Sequence, residues 1–333
     1  MRPSPAKSLT ALLLPLALLV GCSASDGGGS SDKKGGATRT FTADNGKVTI
    51  PKDPKRVIAT GYAVPVLIEA DAALVGISGW ARGRPLMTEK DRATYDDLPK
   101  IAGETAAETN YESIAAKKPD LIVIGVPAPV LGDVDMKRLK SIAPVVAIGP
   151  TLPSAWRELS KRQADAAGRL QHFEKAKTAY EKRAAELSGK YDDALKGLDF
   201  GHIGSYGDAS AGTYAREYAD AWGTNVAEDI GVSYPGKPEK PGKGSQAVTE
   251  TPSIEELPEN LGDADAITYS VGPDGKPGKS VSYVLKSPLW KKLPAVQAGR
   301  AFPVRHTEAS TYSSAQRTLS ALDKALAPLL EKE

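Results

Sequence analysis

QHFEKAKTAYEKRAAELSGKYDDAL, residues 171–195, is one long amphipathic segment near the middle of a 333-residue chain. Its larger apolar side chains fall at Phe173, Tyr180, Leu187, Tyr191 and Leu195, with Ala176 and Ala184 completing the stripe and charged residues on the other faces. Steps of three, four and seven are the period of an amphipathic helix. At the helical rise such a segment is roughly 35 Å long. Short apolar runs separated by helical or turn-rich stretches precede it, and the same pattern resumes after it. The segment therefore reads as a spine between two α/β lobes; the alternative is a surface helix of a single domain.

Working outward toward the N-terminus, residues 154–168 read as a helix with Ser154 as N-cap and Gly168 as its end. Four buried-strand candidates lie before that, at 56–60, 74–78, 121–125 and 145–149, with helical patterns such as 64–70 and 111–118 between them. Strands alternating with helices imply a mainly parallel sheet covered on both faces. Residues 39–50 read as a β-hairpin turning at Asn45-Gly46. Beyond the spine, 201–206, 266–270 and 301–304 read as strands, with 281–285 as a weaker candidate. The polar loops 234–244 and 272–279 belong at the surface or at a cleft rim. A chain of this length exceeds what one core usually supports. The expected organisation is a leader to residue 22, a tether over 23–38, an N-terminal lobe over 39–168, an interlobe helix over 169–197 and a C-terminal lobe over 198–333.

The N-terminus has the form of an export signal: Arg2 and Lys7, an apolar run from Leu9 to Val20, then Gly21-Cys22. That run is short of the roughly 20 residues needed to span a bilayer. It resembles a bacterial lipoprotein leader, which implies lipidation of Cys22 and attachment to the outer face of the cytoplasmic membrane. Residues 23–38 contain Gly27-Gly28-Gly29-Ser30-Ser31 and almost nothing apolar, and as a flexible tether they reach roughly 20 to 24 Å. Cys22 is the only cysteine, which excludes an intramolecular disulfide and zinc-finger spacing.

Composition narrows the chemistry. Of the charged residues 43 are basic and 41 acidic, and the leader carries two of the bases, so nothing favours nucleic acid as a partner. Tyrosine outnumbers phenylalanine 12 to 4, a bias suited to a wet cleft. Gly207-Asp208-Ala209-Ser210-Ala211-Gly212 approaches a nucleophile elbow but has aspartate where glycine is required, which leaves a hydrolase using Ser210 as the alternative from another class. His172, His202 and His306 are scattered, and no protein metal site is expected. An exported, anchored chain without an assembled catalytic set is a receptor rather than an enzyme.

Three motifs then carry a family resemblance: Pro54-Lys55-Arg56-Val57-Ile58; Asn110-Tyr111-Glu112-Ser113-Ile114 leading to Lys118-Pro119-Asp120-Leu121-Ile122-Val123; and Ser287-Pro288-Leu289-Trp290 running on to Gly299-Arg300. In this order they resemble landmarks of the substrate-binding proteins that serve iron-siderophore and vitamin B12 ABC importers, and within that family the hydroxamate-siderophore lipoproteins, especially the ferrioxamine-binding ones of actinobacteria. The resemblance implies two Rossmann-like α/β lobes joined rigidly by one long helix. It also implies a ligand held in the groove between them, no cofactor, and a monomer that meets an ABC permease with its ATPase. Haem or a corrinoid is the alternative cargo within the same fold.

Open α/β sheets bind ligands just beyond strand ends. That rule selects Tyr62, Trp80, Arg82 and Arg84 in the first lobe, and Tyr206, Tyr214, Arg216, Tyr218, Tyr269 and Tyr312 in the second, with Tyr234 as a cap from the proline-rich loop. The alternative for each tyrosine is core packing with a bonded hydroxyl. Tyr312 and Arg216 also lie where some hydroxamate-binding relatives carry ligand contacts. Some relatives place an arginine shortly before the Asn-x-Glu motif; this chain has Gly103-Glu104-Thr105, so Arg82 or Arg84 is the expected substitute. By the same resemblance, Glu112 and Glu255 are the permease-docking glutamates.

Overall fold

The computed structural model describes residues 36–331, so the leader, Cys22 and most of the tether lie outside the described residues. The chain enters through a hairpin of β1 (Thr38–Ala43) and β2 (Gly46–Pro51), paired Phe41 to Val48. Strand structure thus begins at Thr38, inside the stretch expected to be tether. At the turn, the Asn45 side chain donates to the Val145 carbonyl at 3.0 Å and accepts from the Ala147 N–H at 2.9 Å, which fastens the hairpin to the first sheet.

That sheet is built in chain order from β3 (Val57–Gly61), α1 (Ala63–Glu69), β4 (Leu74–Ser78), α2 (Glu89–Asp97), β5 (Lys100–Ala102), α3 (Tyr111–Ala116), β6 (Leu121–Gly125), α4 (Met136–Lys140) and β7 (Val145–Ala147). Its strands run parallel in the order β5-β4-β3-β6-β7. Every residue of β6 is buried, as expected for a strand covered on both faces. Alternate side chains feed two cores: Val57, Ala59, Leu121 and Val123 enter one, Ile58, Ile122 and Ile124 the other.

The link to the second lobe is α5 (Trp156–Ala166) followed by α6 (Leu170–Leu195). Ser154 does not cap α5; it sits within a 3₁₀ turn over Pro153–Ala155 that leads into the helix. Gly168 ends the segment at φ +68, a conformation glycine takes without penalty. The buried stripe of α6 is Phe173, Tyr180, Ala184, Leu187, Tyr191 and Leu195. All six belong to the core of the C-terminal lobe, whereas the N-terminal core is reached through Leu159 and Ala166 of α5. The spine is therefore a wall of one lobe rather than a free strut.

The second lobe comprises β8 (Phe200–Gly204), β9 (Ala215–Glu217), α7 (Asn225–Glu228), β10 (Thr249–Glu250), α8 (Leu257–Leu261), β11 (Ala266–Val271), α9 (Lys279–Lys286), α10 (Pro294–Gln297), β12 (Ala301–Arg305) and α11 (Tyr312–Ala325). The order is β10-β9-β8-β11-β12, with β8, β11 and β12 parallel and β9 and β10 antiparallel at one edge. Residues 281–285, a strand candidate by sequence, lie inside helix α9. There Val281 and Val284, three apart, share the buried face, whereas a strand would have grouped Val281 with Tyr283 and Leu285. The two five-stranded sheets are separate, so the described residues form two lobes, each with its own sheet. No helix among the described residues is long and apolar enough to cross a membrane.

Candidate functional site

Both sheets reverse their strand order at a central strand, β3 in one and β8 in the other, and the chain leaving each carries a tyrosine. The exit from β3 is tight: Gly61 has φ +59, and a Cβ there would stand 2.6 Å from the Gly125 carbonyl oxygen. Only glycine fits this approach. The same carbonyl accepts the Tyr62 N–H at 2.8 Å, which sets the direction in which Tyr62 leaves the sheet.

The Tyr62 ring lies parallel to that of Trp222 from the other lobe, 4° between planes with centroids 6.0 Å apart, and meets Trp80 edge-on at 4.8 Å. The Arg82 guanidinium sits 4.3 Å from the Trp80 centroid and 5.0 Å from that of Tyr62. Among the described residues Arg82 makes no ion pair, so its charge faces the rings and the space beside them. These groups wall an open cleft of about 520 Å³ shared by the lobes, with Tyr206, Glu217, Glu250 and Lys240 on its C-terminal side. Tyr206 is 58% exposed, and its hydroxyl donates to Glu308 at 2.6 Å. Although the ring is exposed, loss of water around the hydroxyl itself and that neighbouring carboxylate push its pKa upward.

A buried polar cluster backs the cleft. Glu217 accepts the Gly223 N–H at 2.6 Å, and its carboxyl oxygen is 3.9 Å from Nε2 of His202. His202 is also bonded to the hydroxyls of Thr268 at 2.8 Å and Ser270 at 3.1 Å. A Cβ on residue 223 would fall 2.0 Å from the His202 ring, so this contact requires Gly223. Burial raises Glu217 to about 7 and lowers His202 to about 3, so between those values both partners are neutral.

Of the residues selected from sequence, Tyr62, Arg82 and Tyr206 line the cleft, and Trp80, 4% exposed, supports them from beneath. The others are occupied by the protein. Arg84 pairs with Asp96 of α2. Tyr214, Arg216 and Tyr218 share one face of β9 and its flanks and engage partners there: Asn260 donates to the Tyr214 hydroxyl at 3.0 Å, Arg216 donates to Asn260 at 2.8 Å, and the Tyr218 hydroxyl donates to Glu250. Glu217, from the opposite face of the strand, is the residue of this segment that lines the cleft.

Tyr234 is buried with its hydroxyl bonded to Thr268 at 2.8 Å, so it does not cap the groove; Tyr269 is edge-on to Trp290, with centroids 6.0 Å apart. Tyr312 is 3% exposed in an aromatic cluster with Trp156, Phe173 and Tyr180. Its position at the start of α11 aims it at α5 and α6, and this packing withholds it from the cleft.

Glu112 and Glu255 are exposed, each in the first turn of a helical segment that leads back into a parallel strand. Both therefore lie at the strand ends where the cleft opens. Glu112 is ion-paired with Arg138. Ser210 donates its hydroxyl to Asp208 at 2.6 Å, while His202 and His306 are bonded to other partners. Among the described residues no group of three metal-ligating side chains is assembled. Trp222, Glu217 and Lys240 were not singled out from sequence. The one usable signal was Trp222 itself, a large ring between Ala221 and Gly223 in a chain with 4 tryptophans.

A family model described as periplasmic binding protein matches residues 59–305. The iron(3+)-hydroxamate-binding protein YxeB of Bacillus subtilis is 28% identical over 301 residues, covering 87% of this chain and 86% of that protein. The provisionally named ABC transporter substrate-binding lipoprotein YhfQ of the same bacterium is 28% identical over 305 residues, 89% of this chain and 88% of the relative. Among solved structures, the siderophore periplasmic binding protein from the fuscachelin gene cluster of Thermobifida fusca superimposes with a TM-score of 0.68 at 27% identity, covering 84% of this chain and 98% of the other.

Proposed function

The chain belongs to the periplasmic binding protein family, and from that premise we propose that it is a lipid-anchored receptor that captures a ferric hydroxamate siderophore of the ferrioxamine type and delivers it to an ABC importer for iron uptake. Members of this family are substrate-binding proteins and not enzymes. Iron is cargo here, held by the siderophore, and the receptor itself carries no cofactor.

The observation that carries this reading is the shelf of Tyr62, Arg82 and Trp222 across the cleft. A ferric trishydroxamate is rounded and nearly neutral, with partly negative iron-bound oxygens and apolar linkers. An arginine without a carboxylate partner can donate to such oxygens, and aromatic faces can cover the linkers. At about 0.3 kcal/mol for each of about 40 heavy atoms, affinity reaches on the order of 12 kcal/mol, or nanomolar. A ferric triscatecholate carries several negative charges and would face Glu250 and the nearby Glu308. The hydroxamate-binding name of one relative and the lipoprotein name of the other support the cargo and the anchor at Cys22. Glu112 and Glu255 are the proposed permease contacts.

Tryptophan fluorescence tests the assignment, because Trp222 and Trp80 flank the cleft. Ferrioxamine and ferrichrome are expected to quench at nanomolar to low micromolar concentration, and a ferric catecholate and haem are not. Absence of quenching by every hydroxamate complex, or a Soret shift with haem at lower concentration, would overturn it.

A further inference from the structure

We propose that the C-terminal lobe holds a second ligand site, for a small multiply charged oxyanion of the phosphate or tricarboxylate kind, at the β12 edge of its sheet, opposite the β9–β10 edge that lines the cleft. A cavity of about 410 Å³ opens there between the end of β12 and the side of α11, lined by the cations Arg305, Arg317 and Lys324 and by the ring of His306. Among the described residues no aspartate or glutamate lines it. The carboxylate carried by the same helix, Asp323, is turned away and bonded to Arg183 and Lys190. Among the described residues none of Arg305, Arg317 and Lys324 has an ion-pair partner.

The cations are held in place. Arg317 donates to the backbone carbonyls of Met87 at 2.6 Å and Pro85 at 3.2 Å, across the lobe boundary. The Arg305 guanidinium lies against Gly275, where a Cβ would stand 3.0 Å from it. His306 takes a left-handed backbone at φ +61, a conformation that concentrates at functional positions when the residue is not glycine. Its Nε2 is 3.4 Å from the Arg317 guanidinium, which can only donate, so Nε2 accepts and the ring proton is on Nδ1. Nδ1 is buried and has no hydrogen-bond partner among the described residues. Burial and the adjacent arginines lower the ring's pKa to about 4, consistent with a neutral ring at physiological pH. The charged wall thus offers guanidinium and ammonium donors and, among the described residues, no carboxylate acceptor. A cation would be repelled, and a neutral guest would leave these charges unanswered. An oxyanion satisfies several of them with charge-assisted bonds.

Proton NMR of the 3 histidines tests this on the intact chain, with His306 assigned by comparison with His306→Gln. Inorganic phosphate and, separately, citrate are added at ionic strength held constant with sodium chloride. The expected result is a saturable shift of the His306 resonance with a midpoint of about 1 mM or tighter for at least one anion, while His172 stays still. Arg305→Ala and Lys324→Ala should each weaken the midpoint about tenfold without changing fluorescence quenching by ferrioxamine. A shift that never saturates, one that follows ionic strength alone, or a midpoint unaltered in both variants would overturn the proposal.

Discussion

Tyr62 and Arg82 form one contact unit, since the guanidinium rests on the ring that faces Trp222. Replacing either with alanine is expected to weaken ferrioxamine binding about 10- to 100-fold, equivalent to roughly 1–3 kcal/mol, in the quenching titration. Tyr312→Phe, deep in the aromatic cluster, should leave affinity within about twofold. The buried pair behind the cleft makes a prediction about pH. Glu217 has a folded pKa of about 7, above its ordinary value, so between pH 4.5 and 7 the folded state holds a proton the unfolded state has lost. Its contribution to stability therefore falls as pH rises through that window. His202 is depressed to about 3, so between 6.5 and 3 the unfolded state binds the extra proton and stability falls as pH drops. The two slopes oppose one another between pH 4.5 and 6.5. Urea denaturation across that range should show Glu217→Gln steepening the loss of stability toward acid and His202→Gln reversing its sense. Parallel shifts in both variants would contradict the assignment.

At the level of elements, α6 and β9 illustrate opposite outcomes. The α6 stripe was legible because a 26-residue helix repeats its period many times, and all the side chains that period selects are buried or partly buried. Leu187 is fully enclosed in the C-terminal core, so Leu187→Ala is expected to cost about 2–5 kcal/mol in urea denaturation, with ligand affinity per folded molecule unchanged. Three-residue β9 leaves no periodicity to read. The rule that ligands sit beyond strand ends selected Tyr214, Arg216 and Tyr218 on the segment after β8, and the one-residue alternation of a strand there brings Glu217 to the cleft instead. Segment 281–285 failed similarly: five residues of which four, Val281, Tyr283, Val284 and Leu285, are large and apolar or aromatic fit a strand or a helix, and only the packing partners of Val281 and Val284 decide it.

For the whole molecule, the lobes are tied by contacts far apart in sequence. Glu69 of α1 accepts the Ser313 N–H at 2.7 Å, so an N-terminal lobe side chain caps the first turn of α11 in the other lobe. Glu69→Ala should cost about 1 kcal/mol and speed amide hydrogen exchange in the first turn of α11, while Glu69→Gln retains an acceptor and most of the protection. The permease contacts proposed for Glu112 and Glu255 can be tested only on the intact receptor with its importer. Reversing both to lysine is expected to leave ferrioxamine quenching within about twofold, since neither lines the cleft, and to abolish iron uptake by cells that depend on this receptor.

The long linking helix, the central buried strands and the parallel core of each sheet follow from the amino-acid sequence, because buried strands and amphipathic helices impose periods that a single chain displays, whereas the short strands β5, β9 and β10 and the antiparallel edge do not. Cleft residues next to a strand end, Tyr62, Arg82 and Tyr206, were also within reach of that reading. Which side chains face ligand and which face protein was decided by tertiary structure alone. A tyrosine has the same chemistry in both settings, and Tyr62 is separated from Tyr312 only by what surrounds it: Trp222 across an open cleft for one, Trp156, Phe173 and Tyr180 in a closed core for the other. Those neighbours lie more than a hundred positions away in the chain, and no local period records them.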